Sequence, residues 1–212
     1  MNPLDLGRRI LAKTARNDTF ELPLFPLNTV LFPGGILPLK VFEPRYVELV
    51  SDCMREEKPF GINLIRAGQE TGAPADPEPV GCLASISSWD MPELGILQIQ
   101  VTGGLRFFVE HSHVEANGLV LASASTIAEE PPLALPAKYR ACADMLKRII
   151  DHLGHERFQT PFKYDDTVWV GYRLAELLPL KRSARQNMLE MNDSLVRIEI
   201  LHSFLVRQGL IA

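Results

Sequence analysis

Between Leu22 and Tyr46 the chain reads LPLFPLNTVLFPGGILPLKVFEPRY. Its five prolines rule out a continuous helix, because a proline inside a helix removes a backbone donor and clashes with the preceding turn. Only three of its side chains are charged, Lys40, Glu43 and Arg45, so it is too apolar for a solvated linker. What remains is a set of short, kinked strands. Prolines cannot donate to a ladder, so Pro23, Pro26 and Pro38 belong at strand edges, ends or bulges. Short strands of this kind supply the corners of a small closed sheet. The predicted strands are Phe20–Phe25 and Ile36–Phe42, and Val30–Phe32 leads into the turn between them. Pro33 and Gly34 suit the centre of a type II turn, whose second position needs the positive φ that glycine tolerates.

The periodicity changes once along the chain. Up to about residue 130 the signals are strands and turns. Pro44 starts one helix there, with Tyr46, Val47, Val50, Cys53 and Met54 on one face down to about residue 57. Phe60–Arg66, Val80–Trp89, Gly95–Val101, Leu105–Glu115 and Leu119–Ile127 read as strands. Ala67–Pro79 reads as an exposed loop, and Asn117-Gly118 as a type I′ hairpin turn with two residues at positive φ. Glu129–Pro136 is a joint, and beyond it the spacing is helical. Tyr139, Cys142, Leu146, Ile149 and Leu153 share a face, and Asp165–Leu178 is a helix capped by Asp165 or Asp166. Ser183 is the expected cap of a short helix ending at Met191, and Asp193 that of the last one. On that last helix Leu195, Ile198, Leu201 and Leu205, widened by Val196, Ile200 and Phe204, predict burial on two sides. The fold class is therefore α+β, in three parts: an extension over 1–18, a β unit over 19–130 with one helix at about 44–57, and a helical unit over 131–212.

Charge and cysteines bound the function. Residues 1–130 carry 10 Lys/Arg against 17 Asp/Glu, and residues 131–212 carry 12 against 9. The β unit lacks the basic excess that phosphate contacts demand, so nucleic acid is not an expected partner. Cys53, Cys82 and Cys142 are odd in number and show no CxxC spacing, which predicts free thiols in a reducing compartment. No run reaches the ~18–20 apolar residues of a membrane span, and the opening residues lack a secretory h-region. The expected localisation is cytoplasmic, with no membrane partner.

Chemistry-bearing motifs are sparse. GxGxxG, GxxxxGK[ST], GxSxG and HExxH do not occur. His111 with His113, and His152 with His155, read as surface histidines rather than metal ligands. The carboxylate pairs Glu56/Glu57, Glu129/Glu130 and Asp165/Asp166 are sequence neighbours, whose side chains point apart. No catalytic residue, metal ligand or cofactor is predicted.

The opening segment closely resembles the signature of the Lon protease amino-terminal domain in its stand-alone bacterial form. Further resemblances follow along the chain: Phe60-Gly61 through Gly68, Val80-Gly81-Cys82-Leu83-Ala84 with Cys82 where the family usually has threonine, Gly104-Leu105-Arg106-Phe107, and Trp169 with Leu174–Pro179. They cover about residues 20–205. The resemblance implies a PUA-like β pseudo-barrel followed by a C-terminal helical bundle. It also implies a recognition module without the ATPase and protease of full-length Lon, hence not an enzyme. The expected partners are unfolded or apolar polypeptide segments, as in a proteolysis adaptor or chaperone-like protein, with a protease or ATPase as a further partner. The expected peptide-binding residues are Phe32, Phe42, Tyr46, Trp169 and Tyr172, near the boundary of sheet and helices. Two rival readings are an RNA-binding PUA-like module, disfavoured by the acidic β unit, and a cryptic hydrolase, which needs a nucleophile in reach of a base.

Overall fold

The computed structural model describes residues 19–93 and 95–211; the expectation for the 1–18 extension lies outside them. Among the described residues, six strands and five α-helices follow in the order β1 (Phe20–Leu27), β2 (Ile36–Val41), α1 (Pro44–Glu56), β3 (Phe60–Ala67), β4 (Asp76–Glu93), β5 (Ile96–Val114), β6 (Val120–Thr126), α2 (Arg140–Leu153), α3 (Thr167–Leu177), α4 (Arg182–Glu190) and α5 (Ser194–Arg207). The mixed α+β class expected from the change of period is the class observed.

The strands form one sheet in the order β2-β5-β4-β3-β1-β6, and β5 also pairs with β6, so five of them close into a ring. The length of β5 makes this closure available: its first half pairs with β2 (Val41↔Leu97 to Ile36↔Thr102) and its second with β6 (Phe107↔Thr126 to Val114↔Val120). β1 lies between β3, parallel to it, and β6, antiparallel to it. Pro23 and Pro26 are accommodated within β1, and Pro38 within β2, which lies at the end of the strand order.

The turn at Pro33 is the type II turn that its residues predict. Gly34 has φ +69°, and Gly35 N–H donates to Phe32 C=O at 2.8 Å. Val30–Phe32, which leads into that turn, is irregular backbone. Its apolar residues earn their burial by packing inward, not by pairing: Val30, Leu31 and Phe32 are all buried. Strand β4 begins at Asp76 and shortens the expected loop to residues 68–75.

At Asn117-Gly118 the hairpin forms, but not through a type I′ turn. Among the described residues only Gly118 of the pair has positive φ. Gly118 N–H donates to Glu115 C=O at 2.9 Å, and the Asn117 side chain accepts from Leu119 N–H at 2.9 Å. One extra loop residue lets a tight turn followed by a left-handed glycine do the work.

Two of the expected caps hold and one does not. Asp166 accepts from Val168 N–H at 3.1 Å, and Asp193 from Leu195 and Val196 N–H at 2.9 and 3.1 Å. Ser183 lies inside α4, whose N-cap is Lys181 with no side-chain bond. The last helix also departs from expectation. Ile198, Leu201 and Leu205 are buried, but Leu195, Val196 and Ile200 are exposed, so α5 is covered along a single stripe. Arg197 takes a place on that stripe at 0% exposure.

Helices and sheet share one core. Val30, Phe32, Leu64 and Val80 from the sheet side join Leu146 and Ile150 of α2, Val170 and Leu174 of α3, and Leu201 and Leu205 of α5 in one apolar cluster. A second cluster lies between α1 and the sheet, around Phe25, Val50, Phe60, Ile62 and Val101.

All three cysteines are free and buried. Burial pushes their thiols up, Cys53 and Cys142 to about 11 and Cys82 to about 12. The thiolate is the reactive form. Alkylation by iodoacetamide at neutral pH is therefore expected to run at least ~100-fold slower on the native protein than in denaturant, as read by mass spectrometry at each cysteine. Rapid native labelling of any one would contradict its placement.

Candidate functional site

Where the sheet meets the helices, a cleft of about 340 Å³ opens. One wall is the Pro33-Gly34 turn together with Leu105 and Arg106 of β5. The other is the loop Gln159–Lys163 with Trp169 and Tyr172 of α3, and the linker residues Ile127, Glu129 and Glu130 complete it. Trp169 and Tyr172 lie three residues apart, the spacing that puts two helical side chains on one face.

Beneath the cleft lies a buried polar network. Glu130 accepts from Arg197 Nη2 at 2.5 Å and from the Tyr172 hydroxyl at 2.7 Å, with Arg106 Nη2 3.8 Å away. The side chains of Arg106, Glu130 and Arg197 are 3%, 7% and 0% exposed, so solvent screens these charges little. Both arginines also hold carbonyls at the end of α4. Arg106 donates to Leu189 and Met191 C=O at 2.8 and 2.9 Å, and Arg197 to Met188 and Met191 C=O at 3.0 and 2.5 Å. The Arg197 guanidinium stacks 4.1 Å from the centre of the Tyr172 ring. Burial drives the Tyr172 hydroxyl well above its ordinary pKa, so it remains a donor to Glu130. The network fixes the linker, β5, α3 and α5 to one another and gives the cleft a rigid floor.

A third buried arginine holds the opposite rim. Arg173 of α3 donates to Pro33 C=O at 2.9 Å and also to Gly34 C=O. It lies 3.2 Å from Glu176. The turn made by the proline-punctuated segment is thus clamped to the helices. On the outer wall Trp169 meets Tyr164 edge to face at 5.3 Å and Phe162 at 6.2 Å, a partly exposed aromatic group.

Among the described residues the lining of the cleft contains no serine or cysteine. The carboxylate of Asp166 is engaged in capping α3, and that of Glu130 is saturated by donors.

The structure does not bring the five expected binding residues together. Trp169 and Tyr172 line the cleft. Phe32 is fully buried under it, 5.8 Å from the Tyr172 ring. Tyr46 is 3% exposed and stacks on Phe25 at 4.0 Å inside the second core cluster. Phe42 is 54% exposed at the end of β2 and does not line the cleft. Aromatic side chains satisfy burial and contact equally well, so their identity alone did not separate the two.

Residues 21–207 match the ATP-dependent protease La (LON) substrate-binding domain. The chain belongs to this family. A crystal structure of a Lon N-terminal domain protein from Xanthomonas campestris is similar at 35% identity and a TM-score of 0.73, covering 87% of this chain and 98% of that one. The N-terminal domain of the Lon protease from the Mycobacterium avium complex shares the fold at 15% identity and a TM-score of 0.58, covering 86% and 96%. The Lon protease of Anaeromyxobacter dehalogenans is 40% identical over 67 residues, which is 31% of this chain and 8% of that relative's length. The chain thus matches only a small part of that Lon relative. Within this Lon-type domain, Arg106 falls in the Gly104–Phe107 stretch that carries part of the resemblance, and the structure shows what that arginine holds.

Proposed function

We propose that this domain is a non-catalytic module that binds unfolded or apolar polypeptide segments in the cleft between sheet and helices. The observation that carries the reading is the cleft itself: apolar walls from Trp169, Tyr172, Leu105, Ile127 and Pro33 stand on a floor that buried ion pairs keep rigid. Clefts of this size that combine apolar side chains with fixed polar groups are where ligands bind, and here Gln159, Lys163 and Glu129 line the cleft beside the apolar residues. The family description, a substrate-binding domain, supports polypeptide as the ligand class. Trp169 and Tyr172 make the contacts in this reading, and Phe32 backs Tyr172 from beneath. Phe42 and Tyr46 take no part in the cleft.

In the same reading the closed sheet over residues 19–130 is a PUA-like pseudo-barrel, and residues 131–212 are a helical bundle docked on it. The module acts in the cytoplasm as an adaptor or chaperone-like partner of a protease or ATPase. The test is capture of a reduced, unfolded protein against its folded form. Binding of the unfolded form alone is expected, weakened at least ~10-fold by Trp169→Ala, because a central aromatic anchor typically carries 2 kcal/mol or more of binding energy. Equal capture of both forms, or no response to Trp169→Ala, would rule the cleft out.

A further inference from the structure

Strand β4 outruns β3. Their pairing ends at Phe60↔Ala84, whereas β4 stays paired with β5 out to Glu93↔Ile96. Beyond Ala84, one side of β4 has no strand partner among the described residues. Alternate residues of an antiparallel strand turn both backbone groups to the same side, so this free side offers N–H and C=O groups at the spacing of an incoming strand. Sheet edges are commonly blunted by proline and charge. Here Asp90, Pro92 and Glu93 stand only at the outer end, and Ser85–Trp89 carries neither. A register shift between Ile86 and Ser88 keeps the usable stretch short.

The edge also has a groove beside it. A space of about 440 Å³ separates Ser85–Trp89 from the end of α1, with Met54, Ile86 and Trp89 as its apolar lining. Trp89 is 57% exposed. The charge at its rim is unbalanced. Of the two charged residues that line the groove, Lys58 is paired with Glu56 at 2.8 Å, whereas Glu57 forms no ion pair among the described residues, nor does Asp90, next after Trp89 along β4. Glu57, moreover, holds φ +54° as the cap of α1. Helices commonly end in that conformation with glycine, which meets no steric penalty there. A glutamate in its place puts a carboxylate at the groove despite local strain.

We propose that the Ser85–Asp90 edge of β4 is a second binding site, which accepts an extended polypeptide segment bearing basic side chains as an added strand. Main-chain bonds to β4 hold the segment, its inward side chains enter the groove beside Trp89, and its basic ones meet Glu57 and Asp90. This mode of recognition reads backbone extension first and side chains second. It is independent of the cleft between sheet and helices.

Fluorescence anisotropy tests it with a short labelled peptide of alternating valine and lysine, its twin carrying N-methyl groups on alternate amides, and a glutamate-for-lysine twin. The lysine peptide is expected to bind saturably to the full chain, and each twin at least ~10-fold more weakly. Glu57→Gly is expected to weaken the lysine peptide while raising the thermal midpoint, and Trp169→Ala to leave its affinity unchanged. Equal binding of the N-methylated twin would overturn the proposal, as would absence of binding. Loss of binding on Trp169→Ala would assign the peptide to the cleft instead. Sedimentation showing a dimer that the peptide does not dissociate would assign the edge to a second copy of this chain.

Discussion

Arg197→Ala is expected to destabilise the protein by about 3–5 kcal/mol. Removing one partner of a buried ion pair leaves the other charge in a low-dielectric interior without compensation. Here that orphan is Glu130, 7% exposed, which keeps only the Tyr172 hydroxyl and a guanidinium 3.8 Å away. In the same step the Met188 carbonyl loses its guanidinium donor, and the Met191 carbonyl keeps only that of Arg106. For a chain of this length the loss corresponds to a drop of roughly 6–20 °C in the thermal midpoint, at 2–4 °C per kcal/mol. Arg197→Lys is not a rescue, since an ammonium cannot span the carboxylate and the carbonyls that the guanidinium fork reaches. Arg182→Ala is the contrast. Its bond to Asn28 is exposed, and a change within about 0.5 kcal/mol is expected. Calorimetry on the three variants checks this, and equal midpoints for Arg197→Ala and Arg182→Ala would refute the role given to the network.

Gly103→Ala comes second, through the backbone rather than through charge. A Cβ at this position would stand 2.1 Å from the Phe32 carbonyl oxygen and 3.0 Å from its carbon. Neither side is free to yield. Gly103 C=O accepts from Gly34 N–H and Gly103 N–H donates to Gly35 C=O, both at 2.8 Å, and Arg173 holds the same turn from the helices. Overpacking of a tight interior typically costs 1–3 kcal/mol; with two backbone bonds displaced as well, a loss of at least ~3 kcal/mol is expected. The adjacent Gly104→Ala is the control. There the nearest atoms to a new Cβ lie at 3.6 and 3.7 Å, an ordinary contact. Urea denaturation separates the two, and a Gly104→Ala loss as large as that of Gly103→Ala would contradict the clamp.

Much of this architecture is legible in the amino-acid order, for reasons that can be named. The turn at Pro33-Gly34 is legible because few residue pairs satisfy a type II geometry. Asp166 and Asp193 are legible as caps because a short acceptor before an apolar helical pattern has one obvious use. The Asn117 turn misleads because Asn-Gly suits more than one hairpin loop, and loop length, not the dipeptide, selects among them. The second apolar face of α5 misleads for a different cause. Val196 and Ile200 look like core by type, but Arg197 holds a place on the covered stripe, and side-chain type does not report which stripe the neighbouring helices cover.

The cleft was half legible. Its location at the boundary of sheet and helices follows from the change of period, and Trp169 with Tyr172 from their spacing on α3. Its floor was not. Arg106, Glu130 and Arg197 lie in three separate segments, and only their convergence gives them meaning. The one available hint was an arginine at a stripe position of α5, between Ser194 and Ile198, where an apolar residue would serve if no buried acid waited for it.

The parallel placement of β1 beside β3, with β6 on its other flank, governs how the molecule is made. β1 leaves the ribosome with both of its neighbours still unsynthesised: Leu24 pairs with Gly61 on one side and with Val120 on the other. At roughly 5–20 residues per second, its second flank waits several seconds for a mate. Throughout that interval LPLFPL is a naked, greasy stretch, and its two prolines withhold the amide donors that a stray strand would need to latch on. The kinks that shape the finished shell therefore also protect the nascent chain until the ring can shut.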